Sequence, residues 1–120
     1  MSRLLMFSVL PIPADDAAVW DDFDRRSEAF EQSGLPPHPL LVELIERVTA
    51  RHPCISNLRE DQIERSVWAD GPLLDNLMHD VAILTIVPSR VDDVLPMVRD
   101  TALALGLAVY DPETETVWRP

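Results

Sequence analysis

The sequence predicts an α+β fold: a single antiparallel sheet of the ferredoxin-like, split βαβ kind, with helices on one face, an added helix and a C-terminal β-hairpin. Three observations carry this. Two bounded, almost wholly apolar runs, LLMFSVL at 4–10 and VAILTIV at 81–87, read as strands buried on both faces. Three other stretches repeat apolar residues at helical spacing instead. The 120 residues are 47% hydrophobic, enough apolar material for one core, so 1–120 is read as one domain.

Each element has a local reason. The first run is closed by PIP, which ends a strand. Asp15 and Asp16 then stand as N-cap and first-turn acids, Trp20, Phe23 and Phe30 follow at helical spacing, and Gly34 supplies a C-terminal stop, predicting a helix over 15–33. Pro39 suits a first helical position, and Leu40, Leu41, Leu44, Ile45 and Val48 mark a second helix ended by Pro53. Residues 54–65 have weak periodicity and read as loop with a helical turn. SVWAD at 66–70 and the 81–87 run read as two strands joined by a long connection. Ser89 and Asp92 have capping-box spacing, and Val91, Val94, Leu95, Val98, Ala102 and Leu105 keep helical spacing up to Gly106. Pro96 interrupts that pattern, so the regular helix is expected to start near Val94. LAVY and TVWR close the chain as a pair of strands. In a split βαβ sheet the first and third strands are central, which matches 4–10 and 81–87. Helices on one face would leave the other for the 54–80 segment, a second subunit or a partner.

Charge bounds the partners. Twenty-one acidic residues face ten basic ones, all Arg, for a net charge of −11, and the excess is shared by both halves. No basic patch exists to neutralise phosphates, so no direct nucleic-acid contact is expected; an acidic surface instead favours a basic partner. The lone Cys54 excludes an internal disulfide and fits a reducing compartment. The opening MSRLLMFSVLPIPADD has no evident small-residue cleavage site and is read as a strand rather than a leader, and no stretch approaches a membrane span of ~18 apolar residues. The expected location is therefore cytoplasmic.

No constellation of catalytic residues emerges. His52, Cys54, His79 and Asp80 can be drawn as a nucleophilic site, but Cys54 follows His52 by a spacing that Pro53 constrains, and a lone Cys in a small domain is most often a buried hydrophobe. The same His and Cys residues are too few for zinc. Glycines 34, 71 and 106 are too scattered for a phosphate-cradling loop. The acid-rich DPETE at 111–115 lacks the alternating oxygens, the glycine and the terminal bidentate Glu of a calcium loop; Asp followed by Pro suits a turn between strands. Neither metal nor cofactor is expected, and the chain is read as non-enzymatic.

Two acidic segments remain, 14–31 and 60–80, each of net charge −5. In the second, Trp68, Leu73, Leu74, Leu77 and Met78 alternate with Asp70, Asp75 and Asp80, a pattern of apolar anchors ringed by charge. Trp68, Asp70, Asp75 and Asp80 are therefore the candidate partner-binding residues, with Asp21, Asp22 and Asp24 on the first helix steering approach. Trp68 also fits a core position.

The strand SVWADGPL, the apolar strand after HD and the ending ALALGLAVYDPETETVW carry a resemblance over about residues 50–118. They are similar to a group of small bacterial proteins with a W-x-x-G-P-L segment and an A-x-x-L-G-L-x-V-Y-D-P ending. Some of these resemble immunity proteins encoded beside secreted polymorphic toxins. The resemblance implies a protein that binds and neutralises a cognate basic toxin domain, and it brings no catalytic residues. The alternative expectation is a homodimeric small-molecule-binding or enzyme-type α+β domain using its open sheet face.

Overall fold

Strand alternation sorts the apolar side chains into two layers, one on each face of a single sheet. The computed structural model describes residues 3–52, Trp68 and residues 77–120. The elements are β1 (Arg3–Val9), α1 (Asp16–Ser33), α2 (Pro39–Arg51), β2 (Val81–Ile86), a 3-10 turn (Pro88–Arg90), α3 (Val91–Ala104), β3 (Leu107–Asp111) and β4 (Thr116–Trp118). The four strands form one antiparallel sheet in the order β2-β1-β3-β4. Leu5 lies opposite Leu84, Phe7 between Ala82 and Val109, and Val109 opposite Trp118.

Because successive strand residues point to opposite faces, Leu5, Phe7, Leu84, Ile86, Leu107 and Val109 share one face. There they pack with Leu41, Leu44 and Val48 of α2 and Val94, Val98 and Ala102 of α3. Val81, Ala108 and Tyr110 point the other way and are covered by Val19 and Phe23 of α1. The helices thus occupy both faces, not one as expected. This accounts for strands that are apolar on both sides. Tyr110 receives Trp20 and Phe23 edge-on, at centroid distances of 5.7 and 6.2 Å.

Among the described strands β1 and β3 pair on both sides, and β2, the 81–87 run, pairs with β1 on one side and is bridged on the other. Among the described residues β2 has only isolated antiparallel bridges on its outer side, Trp68 to Ile86 and Leu77 to Ala82. All five residues of β3 are buried.

Local signals set the helix ends. Asp15 caps α1 by accepting the Ala17 amide at 3.1 Å, and Gly34 closes it in the left-handed conformation, φ +62°. Imidazole Nδ1 of His38 caps α2 by accepting the Leu40 amide at 3.1 Å, one residue before Pro39. At α3 the expected capping box does not form. Arg90 occupies the N-cap without a side-chain cap bond and pairs with Asp93 at 2.8 Å. The helix begins at Val91 rather than near Val94 and carries Pro96 inside it, where the proline gives up the bond an amide would make to the Asp92 carbonyl.

DPETE is the β3–β4 turn, with Asp111 paired to Thr116 across it. Asp111 is 1% exposed, its Oδ1 accepts the Glu113 amide at 3.0 Å, and its Oδ2 accepts from the Arg3 guanidinium. Glu113 reaches the same guanidinium at 2.6 Å from a largely exposed position. An exposed pair of this kind is worth less than ~1 kcal/mol, so Glu113→Ala is expected to shift the unfolding free energy by under ~0.5 kcal/mol in urea titration. A loss above ~1 kcal/mol would show that Glu113, and not Asp111 alone, holds Arg3.

Candidate functional site

The seven residues singled out from the sequence separate into four groups. Trp68 is a core residue, which corrects its assignment as a surface anchor: it is 1% exposed, packs in the α2/α3 layer and donates its indole N–H to the His52 carbonyl at 2.7 Å. Asp70 and Asp75 lie outside the described residues, as does Cys54. Asp22 and Asp80 are drawn together by Arg26. The Arg26 guanidinium lies 3.0 Å from Asp22 Oδ2 and 3.6 Å from Asp80 Oδ2, and donates to the Val9 carbonyl at 2.7 Å and to the Pro11 carbonyl. The 3.0 Å contact with Asp22 is an ion pair lacking hydrogen-bond alignment. Asp22 also accepts from Arg25 at 3.1 Å. Arg26 thereby ties α1 to the end of β1 and the start of β2. These two acids are part of the scaffold, and their charge is largely spent within it.

Asp21 and Asp24 remain exposed, and the helix adds two acids to them. At 100° per residue, Asp21, Asp24, Glu28 and Glu31 fall on one stripe of α1, opposite Val19 and Phe23, and run about 15 Å along its axis. All four are exposed, and none makes a hydrogen bond or ion pair among the described residues. Within the stripe the pairs Asp21/Asp24, Asp24/Glu28 and Glu28/Glu31 are like-charged, which costs a helix a few tenths of a kcal/mol per pair, offset in part by Arg25, four residues after Asp21 and three before Glu28. The stripe was readable from the sequence as the i, i+3, i+7, i+10 spacing of carboxylates across the apolar face.

The histidines serve local structure. His79 Nδ1 lies 2.8 Å from the Pro36 carbonyl and its own carbonyl accepts the His38 amide at 2.6 Å, joining the α1–α2 connection to the approach to β2. At His52, burial and the charges of Arg90 and Arg51 push the imidazole below its usual range. Among the described residues no group of three or more His, Cys, Asp or Glu side chains is placed to hold a metal ion, and no helix is long and apolar enough to cross a membrane.

Beneath α1, the Ser8 and Tyr110 hydroxyls are buried without a partner in full hydrogen-bond geometry. Burial pushes the Tyr110 phenol up, opposed in part by the nearby Ser8 hydroxyl. Two of the cavities among the described residues are small. One, of 160 Å³, is lined by Trp20, Pro112 and Glu115; the other, of 240 Å³, by Arg3, Val91, Asp92, Leu95 and Pro96. Both fall short of the roughly 300–1,000 Å³ that small-molecule sites occupy.

The chain matches no family model, no curated protein and no solved structure.

Proposed function

We propose that this chain is a non-enzymatic binding module, a cytoplasmic immunity or inhibitor protein that sequesters a basic toxin domain. The observation that carries the reading is the Asp21/Asp24/Glu28/Glu31 stripe, exposed and unpaired among the described residues. A helix gains nothing in stability from four like charges at these spacings, whereas a basic partner gains a steering field and complementary contacts. The motifs WADGPL and ALALGLAVYDP support the same reading through their resemblance to the immunity-protein group. The finer topology, a split βαβ sheet, belongs to this proposal too; it draws on the antiparallel bridge from Trp68 to the outer side of β2.

The alternative, a homodimeric small-molecule or enzyme-type domain, draws on Leu4, Met6, Ile83 and Val117, half-buried on the face that α1 covers.

The test is growth of cells expressing the toxin domain encoded beside this chain, with and without it. Protection together with a copurifying complex supports the proposal; the absence of both overturns it. Reversal of the stripe, Asp21→Arg with Asp24→Arg, Glu28→Arg and Glu31→Arg, should slow association at least ~10-fold at low salt and flatten its ionic-strength dependence, with a smaller change in dissociation. Stopped-flow mixing at several salt concentrations checks this, and an unchanged association rate counts against the stripe.

A further inference from the structure

The cavity lined by Trp20, Pro112 and Glu115 lies where α1 meets the β3–β4 turn. Its position follows from the packing. Asp22 and Arg26 turn one flank of α1 toward the end of β1 and Asp80. Trp20, about 200° around the helix from Asp22, is on the opposite flank, edge-on to Tyr110. Two residues beyond Tyr110 the chain reaches Pro112, and Glu115 closes the turn with φ +51°.

The two acids of the turn differ in what they do. Glu113 is engaged by Arg3, whereas Glu115 is exposed and makes no hydrogen bond or ion pair among the described residues. An indole wall, a proline ring and an unpaired carboxylate around 160 Å³ offer a cation two complementary interactions, with a π system and with an opposite charge. The volume is below that of a metabolite site but accommodates one side chain. The molecule already makes half of this arrangement elsewhere: Arg99 sits over the Trp118 ring at 5.4 Å from its centroid.

We propose that the Trp20/Pro112/Glu115 cavity is the seat of a single cationic side chain, an arginine of a basic partner protein. The proposal deepens the binding-module reading and rests on it for the partner. The acidic stripe acts at long range on encounter, while the cavity fixes register by holding one residue in place.

The test uses the intact chain and a defined probe, N-acetyl-arginine-N-methylamide, with the uncharged citrulline analogue as control. In an amide and indole NMR titration, the arginine probe should produce saturable shifts at the Trp20 indole N–H and the Glu115 amide, at millimolar concentration. The citrulline analogue should not. Glu115→Gln, an exposed change that leaves the fold intact, should weaken the arginine response at least ~5-fold; Glu46→Gln, exposed on α2 across the sheet from the cavity, should leave it unchanged. Trp20→Leu should weaken it as well, provided that the Tyr110 resonances show the core retained. Equal responses to both probes, no saturable response, or full binding by Glu115→Gln would each overturn the proposal. The binding-module reading is judged separately: if stripe reversal slows association with a basic partner but the arginine probe fails, only the cavity is wrong. If the probe binds and no basic protein is captured or neutralised, the cavity stands and the functional reading falls.

Discussion

Trp68→Ala is expected to lower the unfolding free energy by roughly 3–5 kcal/mol, the range for truncating a buried Trp to Ala. Trp68 is among the largest fully buried side chains described, and its indole N–H fills the His52 carbonyl at the end of α2. The substitution therefore removes packing and strands an acceptor at once. Against a typical total of about 5–15 kcal/mol, a loss of this size leaves the variant marginal or unfolded at room temperature. Urea unfolding should show a lower midpoint at an unchanged slope. Trp68→Phe separates the two contributions: it keeps most of the apolar volume and loses the donor, for a cost of about 1–3 kcal/mol. If Trp68 were an exposed anchor instead, Trp68→Ala would leave stability within ~0.5 kcal/mol of wild type and change only complex lifetime.

The contrast between Trp68 and the helices shows what the sequence could convey. Helices α1 and α2 were legible to within a residue or two because their signals are local: Asp15 bonds an amide two residues on, Gly34 needs a left-handed backbone, and Pro39 stands at the first helical position. Strands β1 and β2 were legible as apolar runs. The placement of α1 was not, because an amphipathic stripe says that a helix covers something without saying which face of the sheet it covers. The interior position of β3 was hidden as well; LAVYD is too short a run to stand out beside VAILTIV, yet all five of its residues are buried. The acids divided for a similar reason. Nothing near Asp80 in sequence announces Arg26, and Arg3 lies 108 residues from Asp111. An acid's partner across the fold decides whether its charge is spent inside or offered outside, and that information is non-local. What the sequence did hold was the spacing of Asp21, Asp24, Glu28 and Glu31 on one helical face.

Asp111→Ala is the substitution in the acidic turn expected to matter, by about 2–3 kcal/mol at pH 7, because it removes a charge-assisted pair and leaves the half-buried Arg3 without its main partner. The pH dependence distinguishes this from a simple packing loss. Burial opposes ionisation of Asp111, but hydrogen bonds from Arg3, the Glu113 amide and Thr114, together with the charge of Arg3, outweigh it and hold the carboxyl below the usual carboxylate range. The unfolded chain therefore takes up this proton first, near its ordinary pKa of ~3.9, while the folded chain still holds the anion. Stability from the pair is complete above that pH and drains away as pH falls through the lower folded-state value. Wild type should lose stability steeply below about pH 4, and Asp111→Asn should show a shallower acid limb, so that the difference between the two narrows as acid is added. Glu113→Ala, which leaves the Arg3–Asp111 pair in place, should follow the wild-type curve. Urea unfolding at half-unit steps from pH 7 to pH 2 measures all three. Parallel acid limbs for wild type and Asp111→Asn would mean that Asp111 titrates alike in folded and unfolded chains, and that its pair with Arg3 does not stabilise the anion.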